Sequence, residues 1–117
     1  MRREIERLFN AWLIRSNDSP GGSICDAIVT PSPGELTFPI LKEHCGPGLV
    51  VSDKEALQAV ALAFQRLKIV VEPGGAVALA AALFHADKIK GDAVIVVVTG
   101  GNVDPPIFRQ ALDTLTG

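Results

Sequence analysis

The segment Thr99-Gly100-Gly101-Asn102 combines two glycines with a hydroxyl and an amide side chain, which are residue types suited to binding a ligand. It follows residues 93–98, an apolar run without polar alternation, which is typical of a strand buried on both faces of a parallel sheet. Ligands of open α/β sheets bind at the carboxyl ends of such strands. The glycines permit a close backbone approach, and the Thr99 hydroxyl can donate or accept a hydrogen bond. Taken alone, however, the segment is better explained by glycines that only shape a turn.

Three other segments precede this turn and change its interpretation. They are Ser23-Ile24-Cys25-Asp26-Ala27, Pro33-Gly34-Glu35-Leu36-Thr37-Phe38-Pro39 and Val70-Val71-Glu72-Pro73-Gly74-Gly75. Together the four blocks closely resemble, in content and order, the C-terminal region of threonine and serine dehydratases and of serine racemase. These are fold-type II pyridoxal-phosphate (PLP) enzymes. The resemblance covers residues 23–115 and is specific to the family, but not to one substrate.

The resemblance implies cofactor-binding roles for six residues. The family's Ser-Gly-Gly-Asn turn corresponds to Thr99-Gly100-Gly101-Asn102, and its first residue bonds the pyridine nitrogen of the cofactor. Thr99 replaces the commoner serine but keeps the hydroxyl. Glu72 corresponds to a glutamate near the cofactor ring. Gly34, with its neighbour Ser32, falls in a loop that is expected close to the cofactor or the substrate.

The activity that the resemblance implies is PLP-dependent β-elimination, which converts a hydroxy-amino acid into a keto acid and ammonia. A neutral hydroxyl does not hold the pyridinium proton as a carboxylate would, so the ring is a weaker electron sink, which suits elimination. The family's Schiff-base lysine and Gly-rich phosphate loop have no counterpart in this sequence. We therefore assign no catalytic residue, expect no activity from this chain alone, and expect most of the cofactor affinity to be missing.

The histidines, the cysteines and Glu43 are interpreted as structural residues and not as site residues. Glu43, His44 and Cys45 are adjacent in sequence and cannot readily converge on one ion, so no metal site is predicted. His44 and His85 are interpreted as residues at helix ends, where an imidazolium suits the helix dipole. Cys25 is expected to be a small core residue.

The composition describes one small folded domain of 117 residues, with 48% hydrophobic and 21% charged residues. A formal net charge of -2 provides no electrostatic footprint for nucleic acid or for an anionic membrane. The longest apolar runs are too short to span a membrane. With two cysteines and no secretory segment, we expect a cytoplasmic protein with reduced thiols.

Hydrophobic periodicity predicts the helices. Residues 1–14 are predicted to form an amphipathic helix, and the turn formers of residues 16–22 separate it from the rest. This divides the chain into residues 1–19, which do not match the family, and residues 20–117, the C-terminal part of a cofactor domain. Ser52 and Glu55 fit a capping box. The helix that follows is predicted to bury one stripe of side chains: Leu57, Val60, Ala61, Phe64 and Leu67.

Strands and helices alternate along residues 20–117. Short strands are predicted at residues 24–29, 49–51 and 93–98, and residues 69–71 are a further short apolar run. Helices are predicted at residues 38–44 and 76–86, and a last helix is predicted with Asp104 as N-cap and Pro105 at its first position. The pattern predicts an α/β fold, which the resemblance specifies as a small parallel-sheet fragment of the tryptophan synthase β-like large domain.

Two hypotheses about present function follow, and a third ranks last. The first is a cofactor-domain fragment without independent lyase activity. The second is a homo-oligomerising interaction module that uses an amphipathic helix and an exposed sheet edge, because buried strands in so short a chain leave edges that need cover. The third is a dehydratase restored by a partner chain that supplies the part of the enzyme containing the Schiff-base lysine. No feature of this sequence supports it.

Overall fold

The structure is a computed structural model that describes residues 22–115. The helix predicted at residues 1–14 lies outside the described residues. The described chain divides into two compact units. The smaller unit comprises Gly22 and residues 28–50, and the larger unit comprises residues 23–27 and 51–115. Within residues 22–115 no helix combines the length and apolar character needed to cross a membrane.

The smaller unit contains helix α1, Thr37–His44, close to the short helix predicted from the sequence. Its first turn is held by Gly34, whose carbonyl accepts hydrogen bonds from the Phe38 amide at 2.9 Å and from the Thr37 hydroxyl at 3.2 Å. Phe38 is the buried residue of this helix. The helix ends before Gly46 and Pro47, because proline disfavours helical backbone at the residue before it.

The larger unit is organised by helix α2, Asp53–Leu62, whose start was predicted correctly. The Ser52 hydroxyl accepts a hydrogen bond from the Glu55 amide at 3.1 Å, and the Glu55 carboxylate accepts one from the Ser52 amide. This capping box satisfies two backbone donors that the helix itself leaves without partners. A π-helical turn, Ala63–Leu67, continues α2 and ends at Lys68.

Helix α2 packs against α3, Val77–Phe84, and α4, Pro105–Asp113. The core between them contains small and branched side chains: Leu57, Ala59, Val60, Ala61, Ala63, Val71, Ala76, Ala80 and Ala111. Helix α3 lies within the Ala-rich segment predicted to be helical, and its fully buried Ala80 permits close packing.

The stripe predicted for α2 is correct for Leu57, Val60 and Ala61, which are buried, and wrong for two residues. Phe64 is 42% exposed and Leu67 is 56% exposed. Both lie in the π-helical turn, whose wider winding departs from the 3.6-residue period on which the prediction depended. The Phe64 ring still contacts the Phe108 ring of α4 edge-on, with centroids 5.3 Å apart.

The predicted strands are not formed within residues 22–115. A 3-10 turn, Asp26–Ile28, replaces the one expected at residues 24–29. The run at residues 93–98, predicted to be buried on both faces, is instead largely exposed, with Ile95 at 93% and Val97 at 66%. A strand is defined by the ladder of a neighbouring strand, which local sequence does not supply. The sheet prediction is therefore not confirmed for these residues.

Candidate functional site

Two turns of the larger unit carry five of the six predicted site residues. We call residues 99–102 the Thr99 turn and residues 72–75 the Glu72 turn. The Glu72 amide donates a hydrogen bond to the Gly100 carbonyl at 3.0 Å, and the Thr99 amide donates one to the Gly75 carbonyl at 3.4 Å. The fold therefore brings together two segments that lie far apart in sequence. Their roles in cofactor binding stay predictions.

The start of α4 shapes the exposed end of the Thr99 turn. Asp104 occupies the N-cap position with extended backbone, and Pro105 follows at the first helical position, as predicted. The Asp104 side chain makes no capping hydrogen bond, so it does not serve the helix as N-cap side chains often do. The Val103 amide donates to the Gly101 carbonyl at 3.0 Å, which closes a tight turn around Asn102.

Both glycines of the Thr99 turn lie against the Glu72 segment, Gly100 against the Glu72 side chain and Gly101 against the backbone of Val70, which cannot move aside as a side chain can. A Cβ atom at Gly100 would lie 2.7 Å from Cδ of Glu72, and one at Gly101 would lie 2.9 Å from the Val70 carbonyl oxygen. Such distances are shorter than carbon–carbon or carbon–oxygen contacts allow. The Glu72 carboxylate therefore packs directly against the Gly100 backbone.

The Thr99 side chain is exposed, and its hydroxyl makes no hydrogen bond to another described residue. The main chain around it is nevertheless held by the hydrogen bonds of Thr99 and Gly100. A hydroxyl on a fixed backbone, with no protein partner of its own, is available to donate to or accept from a ligand.

A cavity of about 160 Å³ opens beside the two turns. Its lining includes the predicted residues Glu72 and Asn102, but not Thr99, Gly100 or Gly101. The other lining residues are Ser23, Ile24, Asp26, Pro73, Val103, Asp104 and Ile107. Sequence reasoning assigned no site role to Ser23, Asp26 or Asp104, although Ser23 and Asp26 stand in one of the four family blocks.

The charge of this cavity decides which part of PLP its walls could contact. Asp26, Glu72 and Asp104 line it, and no lysine or arginine of residues 22–115 does. Phosphate binding depends on cations or on backbone amides directed at the anion. The Thr99 turn has no side chain at Gly100 or Gly101, and its Thr99 hydroxyl has no partner among the described residues. Both features suit contact with the edge of a flat ring. The residues present therefore fit the ring nitrogen of the cofactor, and the acidic cavity does not fit its phosphate.

Gly34, the sixth predicted site residue, belongs to the smaller unit. Its carbonyl accepts a hydrogen bond from the Phe38 amide in the first turn of α1, and a Cβ at this position would lie 3.0 Å from the Thr37 hydroxyl. These contacts give Gly34 a local structural role, and its predicted closeness to the cofactor or substrate stays a prediction.

One electrostatic pair was not expected from the sequence. His85 is the C-cap of α3, as predicted, and its Nε2 lies 3.1 Å from Oε1 of Glu55. The hydrogen bond from the Ser52 amide, followed by that with the Ser52 side chain and the nearby His85, lowers the pKa of Glu55 below its ordinary value. No pattern of nearby residues signals this contact, because it joins two helix ends through tertiary packing.

The structure also tests the interpretation of Cys25. Cys25 is 6% exposed, as expected of a core residue. Among the described residues, no three His, Cys, Asp or Glu side chains are arranged to hold a metal ion.

A model of the family described as "Pyridoxal-phosphate dependent enzyme" matches residues 6–101. The match begins inside residues 1–19, the segment for which the sequence analysis found no family resemblance. Its other end falls within the Thr99 turn. The Glu72 turn and three residues of the Thr99 turn therefore lie inside the matched range.

Known proteins of similar sequence and structure are enzymes with related names. An L-threo-3-hydroxyaspartate ammonia-lyase from Pseudomonas sp is 39% identical over 92% of this chain and 33% of its own length. A serine racemase from Dictyostelium discoideum is 41% identical over 81% of this chain and 30% of its own length. The solved threonine deaminase from T.th. has a TM-score of 0.81 and 38% identity, and the match covers 88% of this chain and 34% of that protein.

The resemblance to threonine dehydratases and serine racemase is thereby confirmed. The likeness to the solved threonine deaminase is consistent with the predicted α/β class, although the sheet is not formed in residues 22–115. The chain spans about a third of the length of the curated relatives it matches.

Proposed function

Because this chain belongs to the family of pyridoxal-phosphate-dependent enzymes, we propose that residues 20–117 are the C-terminal part of a cofactor domain that contacts the PLP ring. The observation that carries this proposal is the junction of the Glu72 and Thr99 turns. There the Thr99 hydroxyl, which has no hydrogen-bond partner among residues 22–115, lies on a main chain held by two hydrogen bonds between the turns. When bound, PLP supplies the electron-withdrawing ring on which amino-acid chemistry of this family depends.

In this proposal the Thr99 hydroxyl binds the pyridine nitrogen. Gly100 and Gly101 have no side chains, so a flat ring can approach the Thr99 hydroxyl without a steric clash at these two positions. Glu72 packs on Gly100 and borders the cavity, where its carboxylate would lie near the edge of the ring. Asn102 lines the same cavity and offers an amide that both donates and accepts.

The chain supplies no visible binding site for the cofactor phosphate among its described residues. Among the described residues, the cavity beside the two turns is lined by three carboxylates and by no lysine or arginine, so these walls would repel an anion. We therefore propose that this chain binds PLP weakly and is inactive alone, and that the reacting lysine and the phosphate site belong to parts of the family fold that the chain does not span.

The reaction class proposed for a protein containing this region is β-elimination of a hydroxy-amino acid to a keto acid and ammonia. The relatives include ammonia-lyases that act on hydroxyaspartate and threonine, and also a racemase of serine. All are compatible with one hydroxyl at the ring nitrogen. The substrate and the choice between elimination and racemisation are therefore decided by residues outside the two turns.

A titration with PLP tests the Thr99 proposal. Purified protein is titrated while its thermal unfolding and its absorbance are followed, and Thr99→Val is compared with the matched control Thr99→Ser. The variant Thr99→Val keeps the branched shape and loses the hydroxyl, whereas Thr99→Ser keeps the hydroxyl. We expect a saturable thermal shift in the unsubstituted chain and in Thr99→Ser, with affinity about two- to tenfold weaker in Thr99→Val.

The two signals have different meanings. Equal affinity in Thr99→Val and in the unsubstituted chain would show that the hydroxyl does not bind the cofactor. An absorbance band of a Schiff base that borohydride traps on a lysine would contradict the proposal that the reacting lysine lies outside this chain.

A second candidate function is a homo-oligomerising interaction module. The observation that favours it is the exposure of closely spaced apolar side chains, with Val94 at 52%, Ile95 at 93% and Val97 at 66%. Contiguous exposed apolar surface is typical of association sites. Burial against a second copy would remove this surface from water and could supply a backbone partner for residues 93–98.

Light scattering over a range of protein concentrations tests the second candidate. We expect a dimer or larger assembly that Ile95→Lys shifts towards the monomer. The control is Leu36→Lys, because Leu36 is also an exposed apolar residue, at 87%, but belongs to the smaller unit. A monomer at all concentrations, or equal effects of the two substitutions, would contradict this function.

A further inference from the structure

We propose that Gly75 is a positioning residue that sets the place of Thr99. The proposal rests on the function proposed above for the Thr99 hydroxyl, and it assigns to Gly75 a role in holding the main chain of the Thr99 turn. Gly75 is buried and lies in a 3-10 turn, Gly74–Ala76, directly before α3. It therefore connects the Thr99 turn to the helical core of the larger unit.

The space around Gly75 shows why the residue must lack a side chain. A Cβ atom there would lie 2.7 Å from the Gly100 carbonyl oxygen and 3.0 Å from the Gly100 nitrogen. Both are backbone atoms, so neither can move away by a change of rotamer. A side chain at position 75 therefore requires a shift of the Thr99 turn or of the Glu72 turn.

Two hydrogen bonds place Gly75 and Gly100 in a defined register. The Gly75 carbonyl accepts from the Thr99 amide at 3.4 Å, and the Glu72 amide donates to the Gly100 carbonyl at 3.0 Å. The close backbone contact lies between these two bonds. If a side chain at position 75 pushed the two turns apart, both hydrogen bonds would lengthen and the Thr99 main chain would shift relative to the Glu72 turn.

The Thr99 side chain offers no other restraint. Its hydroxyl makes no hydrogen bond to a described residue, and the residue is exposed. The backbone of the Thr99 turn therefore determines where the hydroxyl lies. That backbone is hydrogen-bonded to Gly75 and packs against it. On this basis Gly75 acts on a ligand only through Thr99 and does not itself touch it.

The anchor of Gly75 is the buried core. Glu72 and Pro73 provide carbonyls that accept from the Ala76 amide at 3.0 Å and 3.1 Å, which winds the Glu72 turn into the start of α3. Ala76 and Val71 on either side are fully buried. Gly75 therefore belongs to the buried core, and the exposed Thr99 turn packs against it.

The test uses the unliganded full chain, so a failure of PLP binding would leave it interpretable. In proton–nitrogen NMR spectra, we expect Gly75→Ala to move the amide resonances of Thr99 and Gly100 and to speed hydrogen exchange of the Glu72 amide about fivefold. The control Gly46→Ala should leave all three unchanged, because a Cβ at Gly46 meets no atom within 4 Å.

A purely structural role would give a different result. In that case Gly75→Ala would lower the urea midpoint while the resonances of Thr99 and Gly100 stayed in place, and this outcome would overturn the proposal. A measurement on the unsubstituted chain applies even if Gly75→Ala does not fold. We expect a nuclear Overhauser effect between a Gly75 α-proton and the Gly100 amide proton, and its absence would also overturn the proposal.

Discussion

Helix α2, Asp53–Leu62, and the segment of residues 93–98 are both apolar, yet they have opposite fates in this structure. In α2, Ala56, Ala59, Val60 and Ala61 are fully buried. In residues 93–98, Ile95 and Val97 are mostly exposed. The difference cannot come from hydrophobicity, because the second segment is the more continuously apolar of the two.

The two segments differ in where their backbone partners are found. A helix satisfies its amides and carbonyls within itself, and its first donors here are satisfied by Ser52 and Glu55. A strand depends entirely on another segment for its ladder. A short chain can therefore complete a capped helix locally, whereas an apolar strand remains exposed until another segment pairs with it.

The largest effect that we expect comes from placing the same charge in both segments. The variant Val60→Asp buries a carboxylate at a fully buried position and should cost more than about 4 kcal/mol of unfolding free energy, enough to unfold a marginal domain. In Val97→Asp the new carboxylate stays in water, so the cost should stay within about 0.5 kcal/mol. Urea denaturation followed by circular dichroism measures both. Similar losses in the two variants would show that residues 93–98 are buried in solution.

A smaller effect should come from the local start of α2. The change Ser52→Ala removes the side-chain acceptor of the Glu55 amide and should lower the free energy of unfolding by about 1 kcal/mol. The control is Ser32→Ala, in a loop of the smaller unit, which should change it by less than about 0.5 kcal/mol. If urea midpoints of the two variants agree, the capping box does not stabilise α2 and the comparison loses its local explanation.

The smallest effect should be a pH dependence carried by Glu55. Because the folded state lowers the pKa of this carboxyl, chiefly through its hydrogen bond from the Ser52 amide, the ionised form stabilises the fold. That stability is present above the ordinary pKa of about 4.5 and is lost as pH falls through the lowered value. The loss should be below about 1 kcal/mol and should shrink in Glu55→Gln.

Urea midpoints measured between neutral and acidic pH would check this sign. The variant Glu43→Gln is the control, since Glu43 is an exposed carboxylate of α1, and it should keep the pH slope of the unsubstituted chain. Residues 93–98 contain no ionisable side chain, so they add nothing to the slope. An unchanged slope in Glu55→Gln would place the acid sensitivity elsewhere.

Local patterns predicted the parts of the fold whose causes are local. The capping residues Ser52 and Glu55 lie three positions apart, and Pro105 follows directly on the N-cap Asp104, so the sequence displays both signals. The exposure of Phe64 was missed because a π-helical turn interrupts the helical period after Leu62. The pairing of His85 with Glu55 was missed because its partners lie on different helices.

The candidate site also combines features that the sequence predicted with contacts that only the structure shows. The family blocks identified Glu72 and the Thr99 turn as candidates from their residue types and order. That the Glu72 carboxylate packs on Gly100, and that Gly75 abuts the same residue, depends on contacts between positions more than twenty residues apart. No spacing rule connects those positions, because the chain between them contains a helix and an exposed apolar run.

The sequence by itself determined the family, the helix starts and the residue types of the two turns, because each is encoded by neighbouring residues or by block order. Only the tertiary structure decided which glycines are sterically required, which side chains line the acidic cavity, and that residues 93–98 are exposed. The physical reason is that close backbone contacts and strand pairing are properties of two segments at once. A single segment can indicate that it is suited to such a contact, but the other segment determines whether the contact forms.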